Sequence, residues 1–146
     1  MDDCGIFFRK GIIYVVSTSV THKASVGVSV GPMFKVESKS PLEVGSSVIS
    51  ALNATRYDLP ESAIKDPVIG KKMRDFLGVK SWAELERTSV YASAEREGSE
   101  TKIYSHRIGR GGGFEPDGTV ITCSSGDVEE IGRGVLRALK VLESEE

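Results

Sequence analysis

A helical pattern near the C-terminus has an echo 87 residues earlier, and this repeat restricts the possible folds more than any other feature of the chain. The stretch Asp127 to Leu139 places Val128, Ile131, Val135, Leu136 and Leu139, with Leu142 beyond, at the spacing of one buried helix face. Asp127 is a capping residue, and Glu130 stands three positions on, where a capping-box carboxylate belongs. The stretch Ser40 to Leu52 repeats the scheme. Glu43 falls on Glu130, Gly45 on Gly132, Val48 on Val135, Ala51 on Ala138 and Leu52 on Leu139. Glycine in a helix interior costs about 1 kcal/mol relative to alanine, so its presence at one place in both copies predicts close packing there.

The echo extends upstream. Gly31 to Val36 falls on Gly118 to Cys123, and Arg9-Lys10-Gly11 on Arg96-Glu97-Gly98. With three extra residues in the second copy, Ile13-Tyr14 falls on Ile103-Tyr104. The β-branched runs Ile12 to Thr18 and Thr101 to Ile108 return from glycine-bearing turns, as hairpins do. The fold class expected is α+β. One domain over residues 1–146 holds an antiparallel sheet of about six strands, with helices on one face. It contains two strand-strand-strand-helix units, about 5–56 and 88–142, and a helical insert of about 57–87. In the insert, Gly78 suits a helix C-terminus and Ser81-Trp82-Ala83-Glu84 a capped start. Met73, Phe76, Leu77, Trp82 and Leu85 are its inward candidates, with Trp82 a core anchor.

Composition narrows the function classes. Charged residues make up 27% of the chain and its net charge is −2, ordinary for a soluble protein and unfavourable for a dedicated nucleic-acid binder. No apolar run reaches the roughly 18 residues of a membrane span, and Met1-Asp2-Asp3-Cys4 lacks the basic start of a secretory signal. Cys4 and Cys123 have no metal-type spacing and read as free thiols of a reducing cytosol.

The glycine run Gly109, Gly111, Gly112 and Gly113 admits close approach of a partner and could cradle phosphate. No Gly-Lys-Ser/Thr follows it, so it is not a P-loop, and a flexible loop or bulge accounts for it better than an anion site does. His22 and His106 follow matching hairpins and would form a two-histidine site if they met in space. As surface residues they need no such role. Two chemistries follow from these groups. One is a small nuclease or phosphate-handling enzyme using His22, His106, Arg110 and the glycine loop. The other is a single-strand RNA binder using Tyr104, Arg107, Arg110 and Phe114. No complete acid–base set supports the first, and the negative charge weighs against the second.

Several strings, in order, resemble the immunity proteins of bacterial contact-dependent growth inhibition, the CdiI family. They are Val28-Ser29-Val30-Gly31-Pro32, Pro41-Leu42-Glu43-Val44-Gly45, Gly78-Val79-Lys80-Ser81-Trp82, Gly109 to Pro116, and Glu130-Ile131-Gly132. The resemblance runs from about Phe7 to Leu142. It implies a cytoplasmic, non-enzymatic protein without cofactor or metal. Such a protein binds and neutralises the cognate CdiA C-terminal toxin domain, often a nuclease, and has no direct nucleic-acid or membrane partner. Some relatives receive a toxin hairpin along their sheet. Candidate toxin contacts are the polar and aromatic groups near the hairpins and the glycine loop: Tyr14, His22, Lys23, Tyr104, His106, Arg107, Arg110 and Phe114. No feature of the sequence specifies an oligomeric state.

Overall fold

A computed structural model describes residues 1–141; Leu142 and the acidic tail Glu143 to Glu146, expected to end the last helix and fray, lie outside the described residues. The β-branched N-terminal runs form β1 (Asp2–Arg9) and β2 (Ile12–Val20), joined at Lys10-Gly11, where both residues have positive φ. This is the turn whose twist suits a two-residue hairpin. Two short strands follow, β3 (Gly27–Val28) and β4 (Met33–Val36), and both pair with the same side of β2. Then come α1 (Pro41–Asn53), a 3-10 turn (Glu61–Lys65), α2 (Pro67–Leu77) and α3 (Trp82–Thr88). The chain closes with β5 (Val90–Glu97), β6 (Glu100–Ile108), β7 (Phe114–Ser124) and α4 (Val128–Ala138).

The strands form one antiparallel sheet in the order β3-β2-β1-β5-β6-β7, with β4 also on β2. The two repeats therefore meet back to back along β1 and β5. The helices α1 and α4 pack side by side on one face of this sheet. Val44, Val48 and Leu52 of α1, Ile131 and Val135 of α4 and Leu139 at its C-terminal cap meet Ile6, Ile13, Val15 and Ile103 of the strands. Each of these side chains is at most 1% exposed and contributes about 1.5–3 kcal/mol by burial.

The caps agree with the sequence in α4, where the Asp127 carboxylate accepts from the Glu130 N–H at 3.0 Å. The Glu130 carboxylate reaches back to the Ser124 N–H at 2.6 Å. In α1 the expected Ser40 cap makes no side-chain bond. Ser38 holds Glu43 there instead, at 2.5 Å.

Two expectations are corrected. Helices lie on both faces of the sheet, because the insert packs α2 and α3 on the side away from α1 and α4. Met73, Leu77, Val79 and Leu85 bury against Phe7, Tyr14 and Val16 there. Arg9, 4% exposed, ties this layer down by donating to the Leu77 carbonyl at 2.8 Å and to Thr88 Oγ1. The hairpins also match at a different offset from the helices. Arg9 opposite Ile12 corresponds to Glu97 opposite Glu100, and Ile13 opposite Val36 corresponds to Thr101 opposite Cys123. The offset is thus 88 in the hairpins, and 87 where Val36 meets Cys123 and in the helices. The sequence matches of Arg9 with Arg96 and of Ile13 with Ile103 are one and two residues out of register.

Candidate functional site

On the insert side of the sheet the chain leaves an open groove of about 870 Å³. Its floor is aromatic. Tyr91 lies between Phe7 and Phe114, with ring centroids 4.7 and 4.9 Å away. Met73 and Leu85 form one wall, and the segment Val26 to Ser29, which includes β3, forms another. Val26, Ile64 and Trp82 line the groove while 39%, 42% and 44% exposed. Apolar side chains this open, converging on one concavity, have the character of surface that a partner or ligand can cover. Trp82 is therefore no core anchor. As the first residue of α3 it turns outward, and the Arg74 guanidinium stacks on its ring at 4.9 Å. A larger cleft of about 1060 Å³ beside α4 includes Glu129 and Arg133, which already pair with each other at 3.2 Å.

Beyond Phe114 and Tyr91, where the groove ends, the same face of the sheet carries His106 and Tyr104. His106 stacks edge-on against Tyr91 with centroids 4.6 Å apart, and its Nε2 lies 2.9 Å from Ser93 Oγ. Its Nδ1 is buried without a hydrogen-bond partner. Burial lowers the pKa of this imidazole, with Asp117 opposing, so the neutral ring is favoured. A register shift between Tyr104 and His106 accompanies this turn of the surface. Tyr104 is half-buried on the same side of β6; burial and then the Glu95 carboxylate beside it raise its phenol pKa.

The residues singled out in the sequence separate into three places. Tyr104, His106, Arg107, Arg110 and Phe114 gather on β6, β7 and the loop between them. His22 and Lys23 sit in an exposed turn at the far end of β2, where the backbone N–H of Lys23 donates to Glu61 at 3.0 Å. Tyr14 is neither exposed nor near them. It is 6% exposed and packs edge-on against Phe76 in the core, so it leaves the set of surface contacts. The sequence reading missed Trp82, Ile64, Val26 and Tyr91 as groove residues; an excess of large apolar groups in a charged insert was a signal for Ile64 and Trp82, and Val26 and Tyr91 had none.

The same geometry weighs on the two chemical readings. Thr18, Asp3, Glu95 and Lys102 form one row across β2, β1, β5 and β6. His22 lies beyond that row in one direction and His106 in the other, more than about 20 Å apart at strand rise. They cannot act as a pair. The glycine loop closes on itself through Gly109 and Gly113 at 2.9 Å, and the Gly113 N–H is taken by the Glu86 carboxylate. That donor already serves an anion from the same chain. Arg107 is paired with Glu115 at 3.1 Å, and Glu95, Glu97 and Glu100 beside Tyr104 repel phosphate.

Among the described residues, no group of three or more histidine, cysteine, aspartate or glutamate side chains could hold a metal. No helix there is long and apolar enough to cross a membrane. Cys4 and Cys123 are both buried and free, and three strand spacings, about 14 Å, separate their strands.

No family model and no curated protein matches this chain. Solved structures do. A protein of unknown function from Neisseria meningitidis, NMB0488, superposes with a TM-score of 0.74 over 96% of this chain and 94% of its own, at 17% identity. A chain of the CdiA-CT/CdiI toxin and immunity complex from Yersinia pseudotuberculosis does so with a TM-score of 0.71. That match covers 95% of each chain at 15% identity. The α+β fold is thus shared from end to end with both.

Proposed function

We propose that this chain is an immunity protein. It binds the C-terminal toxin domain of a CdiA-type exoprotein in the cytoplasm and blocks that domain without chemistry of its own. The observation that carries this reading is the end-to-end fold likeness to a chain of a toxin and immunity complex. The groove supports it independently. Its aromatic floor and half-exposed Trp82 supply the residue types that dominate binding energy at protein interfaces. A strand edge at β3 and another at β7 border the exposed surface, ready to receive an extended segment.

The reading is tested by co-expressing the chain in bacteria with the toxin domain encoded beside it. Protection of the cells, and a one-to-one complex on gel filtration, are expected. Cells that die despite full expression of the folded chain would overturn the proposal.

A further inference from the structure

The insert covers the outer face of one repeat, reaches Tyr91, Gly113 and Phe114 of the other, and leaves the rest of that second face bare. Its seat on β1 and β2 is apolar, made by Phe7, Ile12, Tyr14 and Val16. The strand register places Glu95, Glu100, Lys102 and Tyr104 at the matching positions of the second repeat. The twin seat is therefore polar, and a helix pair like the insert would not bury well on it. Among the described residues, Glu97, Glu100 and Lys102 on these strands are exposed, and Val120 of β7 beside them is 47% exposed.

Charge tells what would fit. Asp3, Glu95, Glu97 and Glu100 face this surface; among the described residues the cations beside them are Lys102, which leans to Glu100 at 3.6 Å, and the N-terminal ammonium, which acts on Asp3. Asp3 and Glu95 are direct cross-strand partners. Like charges so placed repel, and among the described residues no lysine or arginine forms a salt bridge with either. On the next strand Lys102 is the direct cross-strand partner of Glu95, and half-buried Tyr104 is its diagonal neighbour.

We propose that this bare seat is a second docking surface for the same partner, and that it takes a lysine or arginine side chain between Asp3 and Glu95, its stem lying on Tyr104. The inference rests on the immunity reading above and adds to it the chemistry of the contact: the toxin domain presents a basic side chain here, next to the groove. A second copy of this chain would bring the same negative face, and nucleic acid the same negative charge. The raised pKa of Asp3, caused first by burial and then by Glu95, shows that the Cys4 N–H and the N-terminal ammonium offset these two effects only in part.

Surface plasmon resonance of the full chain against the toxin domain, at low and moderate salt, tests this with Asp3→Asn, Glu95→Gln and Glu95→Lys. We expect Glu95→Lys to weaken binding about tenfold or more and to flatten its salt dependence, with a melting temperature no lower than that of the wild type, because the repulsion with Asp3 becomes an attraction. The neutral variants should fall between. If the wild type binds and all three variants bind as well as it does, the second surface is wrong while the immunity reading stands. If the folded wild type does not bind, both fall. A dimer of this chain that the same substitutions dissociate, or RNA bound there, would also overturn the proposal.

Discussion

Gly45 of α1 and Gly132 of α4 hold matching places at one helix crossing, each against a backbone carbonyl of the opposite helix. A Cβ on Gly45 would strike the Val128 carbonyl oxygen, and one on Gly132 that of Pro41. The two contacts are images of each other under the 87-residue offset.

This crossing reverses the usual effect of alanine. In an open helix Gly→Ala stabilises by about 1 kcal/mol. Here Gly45→Ala and Gly132→Ala should each destabilise by about 1–3 kcal/mol, and Gly132→Leu by at least as much. Gly126→Ala, in the turn before α4 with open space around it, controls for an added methyl group that meets nothing. Urea midpoints decide, and a stabilised Gly132→Ala would contradict the packing.

Arg9 holds the insert to the sheet from a buried position. Arg9→Met leaves the Leu77 carbonyl at the end of α2 without its donor. The expected loss is about 1–3 kcal/mol. Hydrogen exchange should show α2 and α3 opening before the sheet; uniform protection would count against this tether.

Asp3 gives the chain a pH dependence of definite sign. Its pKa rises from 3.8 to about 6 on folding, so the folded state holds the proton more tightly. Its contribution to stability is present below about pH 4 and lost as pH rises through about 6. Denaturant titrations of wild type and Asp3→Asn should therefore diverge across that interval, the wild type alone losing stability. Parallel curves would remove Asp3 as the source.

Tyr14 and Trp82 should behave oppositely. Tyr14→Ala opens the core and should cost about 3–5 kcal/mol. Trp82→Ala should leave the melting temperature nearly unchanged and weaken toxin binding by more than about 1 kcal/mol. Calorimetric melting together with a binding titration reads both.

Much of this fold was legible because periodicity and caps are local. The helices around Val48 and Val135, the Gly78 terminus and the Ser81 cap all follow from neighbouring residues. The hairpin match failed for an equally local reason. Glycine is the second turn residue in Lys10-Gly11 and the first in Gly98-Ser99. Aligning glycine with glycine shifts a strand by one residue and sends its side chains to the other face. Trp82 was misplaced because an apolar residue at the first position of a helix need not face the core. The groove itself was not legible. Its walls come from Val26, Ile64, Met73, Leu85, Tyr91 and Phe114, which only the folded sheet brings together.

The one-sided insert has a consequence for how such a molecule changes over generations. Phe7, Tyr14 and Val16 are fixed by what covers them, so most replacements there reduce the folded population. Their counterparts Glu95, Lys102 and Tyr104 carry little of the folding free energy, and surface replacements of that kind stay within about 0.5 kcal/mol. Two copies of one scaffold thus divide the constraints: one anchors the architecture, and the other can vary at little cost to the folded population.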